Sequence, residues 1–180
     1  MKKNYKIVVV GLGYVGLSNA VLLAQHNEVI GIDISQRRVD ALNARKSPII
    51  DAELSNYLAE KDLNLTANTD LATSVRGADY VIVSTPTNYD EKANYFDIAS
   101  VEAVIRLVIE HVPKACIVIK STIPVGFVED VRERLKTDAV IFSPEFLREG
   151  SAVKDFLWPD RIVIGTTSHR AYEIMCDIYR

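Results

Sequence analysis

Apolar, β-branched runs alternate with helical periodicity along nearly the whole chain. Residues 6–10 predict a strand and 14–25 a helix, then 28–33 a strand and 35–44 a helix with Ser35 as its N-cap. Residues 51–61 predict a helix, 63–67 a short strand, and 70–76 a short helix stopped by Gly77. The strand at 80–84 is continuously apolar, and the helix at 97–111 ends before Pro113. Strands at 116–120 and 139–142 flank a helix at 127–136. A strand at 161–164 and a helix at 168–179 follow. Short strands that are apolar throughout, separated by helices, imply a doubly wound, mostly parallel α/β sheet with helices on both faces. The longest irregular stretch, 85–96, follows a strand, where long loops tend to be functional. The final helical pattern carries no stop signal and looks interrupted rather than finished.

Composition narrows the classes. The 180 residues fit one domain, with 48% hydrophobic and 25% charged residues and a net charge of −3. There is no basic stripe for nucleic acid. The two cysteines, Cys116 and Cys176, lack metal-type spacing, and Cys116 lies in an apolar run that makes it a small core residue. No metal site is expected. The N-terminal "MKKNYKIVVVGLGYVGLSNAVLLA" superficially resembles a signal peptide. Gly11, Gly13 and Gly16 interrupt it, Ser18 and Asn19 break it again, and no cleavage site follows. A cytoplasmic chain with no membrane span is the expectation.

The same glycines carry chemistry. Gly11, Gly13 and Gly16 form G-x-G-x-x-G between a predicted strand and helix. Gly11 permits the tight turn, Gly13 lets a pyrophosphate approach the backbone, and Gly16 lets the helix sit close to the strand. The helix N-terminus offers free N–H groups to phosphate. Asp33 ends the next strand, 22 residues after Gly11, where a carboxylate accepts hydrogen bonds from ribose hydroxyls and repels a 2′-phosphate. The expected cofactor is therefore NAD. Arg37 and Arg38 follow closely and are the feature that would instead accept NADP.

Four further segments, "STPTNY" at 84–89, "KSTIPVGF" at 120–127, "SPEFLREG" at 143–150 and "PDRIVIG" at 159–165, make the chain closely resemble the N-terminal half of UDP-glucose 6-dehydrogenases, in the UDP-glucose/GDP-mannose dehydrogenase family. The resemblance covers nearly the whole chain. It implies a Rossmann-like NAD-binding domain over 1–180, with the family's central helix and C-terminal UDP-binding domain lying outside it. Family members oxidise the C6 alcohol of UDP-glucose to a carboxylate with two NAD, through a cysteine-bound thiohemiacetal and thioester. The cysteine's "GGxCLPKD"-like segment is absent here, so the chain alone is expected to be inactive. The parent is expected to be a homodimer, and this part of it can be a monomer. A related dehydrogenase of another sugar, such as UDP-N-acetylmannosamine, and a stand-alone NAD-binding module are the competing readings.

Residue by residue, the resemblance implies that Val15 lines the pyrophosphate side, Asp33 holds the adenosine ribose, and Arg38 stands near the cofactor. Thr87 contacts the dinucleotide, and Thr122 lies by the nicotinamide and the reacting carbon. The backbone from Glu145 through Phe146, Leu147 and Arg148 to Glu149 edges the sugar. Glu145 is read as the base that activates water, and Glu149 as a contact to the nicotinamide end. Structural alternatives stand beside these roles: Thr87 can organise a turn after Pro86, Thr122 can cap the helix after Pro124, and Ser143–Pro144–Glu145 can start a helix. Lys120 is read as a strand-end lysine without a role.

Overall fold

The computed structural model describes residues 4–91, 95–148, 151–159, 161–166, 172–173 and 175–176. Six strands form one sheet: β1 (Lys6–Val10), β2 (Glu28–Ile32), β3 (Leu65–Asn68), β4 (Tyr80–Val83), β7 (Cys116–Ile119) and β8 (Val140–Phe142). Between β4 and β7 in the chain lies a small antiparallel hairpin of β5 (Asn88–Asp90) and β6 (Tyr95–Asp97). The order across the large sheet is β3-β2-β1-β4-β7-β8, and every neighbouring pair is parallel. This is the doubly wound Rossmann topology, with its order reversing between β1 and β4.

Alternation along the strands divides the core in two. Ile7, Val9, Tyr80, Ile82, Val118 and Ile141 point to one face. That face is covered by α1 (Tyr14–Leu23), α3 (Ala52–Glu60) and α7 (Ala152–Leu157). Val8, Val10, Val81, Val83, Ile117, Ile119 and Val140 point to the other, with apolar residues of α5 (Ala99–His111) and α6 (Phe127–Leu135). Two shorter helices, α2 (Gln36–Asn43) and α4 (Leu71–Ser74), complete the layers. Helix α1 is buried from Gly16 to Leu23, which explains why its sequence is apolar all round rather than striped.

Several expectations are corrected. Residues 85–96 contain the β5–β6 hairpin rather than an irregular loop, stabilised by Tyr89 against Phe96 at 4.8 Å between ring centroids. Residues 161–164 form no strand: the chain meets β8 at a single antiparallel bridge, Gly165 to Phe142. Ile162 and Val163 there face outward instead of entering the core. Residues 143–148 are not a helix start, because Ser143 and Glu145 are drawn to Lys120 instead. Helix α7 was not expected. Of the helix expected at 168–179, residues 172–173 and 175–176 are helical, and the remainder lies outside the described residues. Ser35 occupies the N-cap position of α2 but makes no side-chain cap bond.

One buried carboxylate joins distant helices. Asp51 caps α3 through Oδ1, accepting from the Leu54 N–H at 3.0 Å, and its Oδ2 accepts from the Ala152 N–H of α7 at 3.2 Å. Asp51→Ala leaves both donors short of a partner in a buried place. It should lower the unfolding free energy by about 1–3 kcal/mol in urea titration. Asp70→Ala, which removes only the exposed cap of α4, should cost clearly less. Equal losses in the two variants would rule out the shared cap.

Candidate active site

Register decides the geometry. Ile32 pairs with Val10, Val10 with Val83, Val83 with Ile119, and Ile119 with Phe142. The residues one step further are Asp33, Gly11, Ser84, Lys120 and Ser143. Backbone bonds hold this second row: Gly11 N–H to Ile32 O (2.7 Å), Ser84 N–H to Val10 O (2.8 Å), Lys120 N–H to Val83 O (2.8 Å) and Ser143 N–H to Ile119 O (2.9 Å). Five motif residues from five strands therefore share the carboxyl edge of the sheet, where open α/β sheets bind ligands.

On one side lies the glycine cradle. Gly11 has φ +93°, and a Cβ there would come within 2.5 Å of Ser84 O. A Cβ on Gly16 would fall 1.8 Å from Gly11 O. Gly13 is different: a Cβ there would meet nothing within 4 Å. It occupies the N-cap position of α1, which has no side-chain cap bond. Open space in front of an uncapped helix N-terminus fits a dinucleotide pyrophosphate. Val15, half-buried in the first turn, follows directly.

Asp33 is 6% exposed. Its Oδ2 accepts from the Leu12 N–H (2.9 Å) and from Arg38 (3.2 Å), and its Oδ1 accepts from the Ser35 N–H (2.9 Å). The carboxylate thus ties the glycine turn to the end of β2. Arg38, one of the two arginines that could meet a 2′-phosphate, pairs with Asp33.

On the other side, Lys120 is buried, donates to Ser143 Oγ at 3.1 Å and forms an ion pair with Glu145 Oε1. Sequence reasoning missed this lysine. Its signal was a lysine closing an apolar strand two residues before Thr122. Thr122 is exposed beyond β7 and is not the cap of α6; Gly126, at φ +85°, holds that position. Thr87, half-buried, immediately precedes β5. The preceding turn is pinned by Ser121 Oγ to Thr85 O (2.7 Å) and by Ser100 Oγ to Thr85 Oγ1 and Pro86 O.

Glu145, Phe146 and Arg148 line a cavity of about 350 Å³ with Leu147, Trp158 and Arg161. Phe146 is 62% exposed, and the Arg161 guanidinium lies 5.0 Å from its ring centroid. Arg148 grips Asp155 with its backbone N–H and two guanidinium nitrogens. Those hydrogen bonds hold the Asp155 carboxyl well below its ordinary range, at about 2. Glu149 lies outside the described residues.

No group of three potential metal ligands occurs among the described residues, and no helix there is long and apolar enough to cross a membrane. Cys116 opens β7 at the amino edge, opposite the site, and burial pushes its thiol up from 9.0 to about 12. Cys176 is half-buried beside the core residue Met175.

The chain matches the description "UDP-glucose/GDP-mannose dehydrogenase family, NAD binding domain" over residues 5–180. A UDP-glucose 6-dehydrogenase of Streptococcus pneumoniae is 54% identical over 161 residues, 89% of this chain and 41% of that protein. One of Campylobacter jejuni is 40% identical over 165 residues, 91% of this chain and 42% of that protein. Among solved structures, a GDP-mannose dehydrogenase of Pseudomonas aeruginosa superposes with TM-score 0.86 at 30% identity, covering 100% of this chain and 44% of that one. A UDP-glucose dehydrogenase of Pyrobaculum islandicum gives 0.86 at 31%, covering 99% and 44%. The chain therefore spans about two fifths of the length of the curated relatives it matches.

Burial of Cys116 has a pH consequence. Its folded pKa is raised, so the stability tied to the neutral thiol is fully present below the unfolded value. It is lost as pH rises from about 9 towards about 12. Urea midpoints should fall over that window, and Cys116→Ala should flatten the fall. An unchanged slope in that variant would contradict this assignment.

Proposed function

The chain belongs to the UDP-glucose/GDP-mannose dehydrogenase family, whose NAD-binding domain it forms, and from that premise we propose that it is the cofactor half of a UDP-glucose 6-dehydrogenase. The observation that carries this reading is the shared carboxyl-edge row, with the glycine cradle and Asp33 at one end and Lys120, Ser143 and Glu145 at the other. The two relatives named above both bear the glucose activity in their names, which supports glucose over other sugars.

Two molecules of NAD, bound in turn, would each supply the acceptor for one hydride from the sugar's C6. The chain's residues supply the rest of this half. Gly11, Gly13, Val15 and Gly16 seat the pyrophosphate on the N-terminus of α1. Asp33 takes the ribose hydroxyls, and Arg38 holds Asp33 in place. Thr87 and Thr122 bracket the nicotinamide side, and Thr122 donates a hydrogen bond to the reacting oxygen or to water. Phe146, Leu147 and Arg148 edge the sugar. The closing step is hydrolysis of a thioester on a cysteine from the rest of the longer protein. Cys116 stands at the wrong edge with its thiol neutral. Glu145 takes a proton from the attacking water. The substrate of the longer protein is UDP-glucose and its product UDP-glucuronate.

Calorimetric titration of this chain should show tighter binding of NAD than of NADP, because Asp33 occupies the 2′ position. Equal or tighter NADP binding would mean that Arg37 and Arg38 dominate. In the full-length dehydrogenase, Glu145→Gln should slow turnover by about 10²–10⁴-fold if Glu145 is a general base, with NAD affinity unchanged. Wild-type turnover in that variant would remove Glu145 from the chemistry.

A further inference from the structure

Two residues of the carboxyl-edge row, Lys120 and Ser143, lie outside the cofactor cradle. Lys120 has a side chain only 1% exposed, yet it carries an ammonium. Burying a charge is costly unless it is paired and hydrogen-bonded. Replacing a buried ion pair by apolar residues is often neutral or stabilising, so fold stability alone is a weak reason for a lysine here. Its position gives a better one. Lys120 follows β7 directly, with its own N–H fixed to Val83 O at 2.8 Å. Glu145 sits on an irregular segment, 143–148, and its side chain, 14% exposed, lines the 350 Å³ cavity. Lys120 Nζ reaches both Ser143 Oγ, at 3.1 Å, and Glu145 Oε1. A group anchored to the sheet thus holds a carboxylate whose own backbone belongs to neither helix nor strand.

We infer that Lys120 is a positioning residue for Glu145: it clamps Oε1, leaving Oε2 to meet the water that attacks the acyl carbon. This rests on the reading of Glu145 as the water-activating base and extends it. The charges balance. As the water oxygen bonds to the acyl carbon, one water proton passes to Glu145 and the carbonyl electron pair moves onto oxygen. A carboxylate and an ammonium become a carboxylic acid, an oxyanion and the same ammonium, so the net charge of the site is unchanged. Collapse of the oxyanion breaks the carbon–sulfur bond and releases the thiolate.

The test uses the full-length dehydrogenase with UDP-glucose and NAD, comparing Lys120→Met, Lys120→Arg, Glu145→Gln and the double variant K120M/E145Q. Lys120→Met should lower kcat about 10²-fold, the scale of a misplaced catalytic group. KM for both substrates and calorimetric NAD affinity should stay near wild type. Lys120→Arg should recover part of kcat. The double variant should turn over no slower than Glu145→Gln alone, because Lys120 acts through Glu145. Wild-type kcat in Lys120→Met, or a double variant slower by the product of the two single effects, would overturn the inference. If Lys120→Met does not fold, the double variant, which leaves no unpaired carboxylate, still decides it against Glu145→Gln. Wild-type turnover in Glu145→Gln would instead defeat the underlying reading of Glu145, and this inference with it.

Discussion

Parallel pairing sets Val10 beside Val83 and Val83 beside Ile119, and the next peptide in each strand continues the ladder by one bond. Every chemical group discussed depends on that extra bond. A strand's side chains alternate faces, so a slip of one residue would turn each motif residue away from the edge. The apolar faces forbid such a slip, because it would carry Val8, Val81 and Ile117 out of one core layer and Ile7, Ile82 and Val118 out of the other. Hydrophobic burial thus fixes the register on which the site's geometry rests.

The edge is divided between two kinds of polar device. Near β1, absence of side chains does the work: Gly11 and Gly16 close the strand–helix turn on Ser84, and Gly13 is left facing open space. Asp33 stabilises that turn through the Leu12 N–H while remaining the acid at the end of β2. Near β7 and β8, buried charge does it, through Lys120, Ser143 and Glu145. The first half is shaped to admit an anion, and the second to hold a carboxylate still.

The sheet was legible because doubly covered strands are apolar throughout and stretches of helical periodicity separate them. The cradle was legible because G-x-G-x-x-G and Asp33 sit at a spacing the fold dictates. What escaped was set by contacts distant in sequence. Lys120 reads as a strand-end lysine until Glu145, 25 residues later, comes back to it. The same pair excludes the alternative in which Ser143 starts a helix. The six residues of α7 are too few for a periodic signal, and residues 161–164 have a strand's composition but meet β8 only at Gly165. The hairpin in 85–96 was hidden because its strands have three residues each.

The Asp51 carboxylate spans 101 residues of chain to reach the Ala152 N–H. Of the six sheet strands, β3, β4, β7 and β8 lie between the two ends, and β1 and β2 precede both. Helix α7, and with it the 143–148 segment clasped through Arg148 and Asp155, is thereby fastened to the N-terminus of α3. The wall bearing Glu145 is thus moored twice, to the sheet through Lys120 and to α3 through Asp51 and α7.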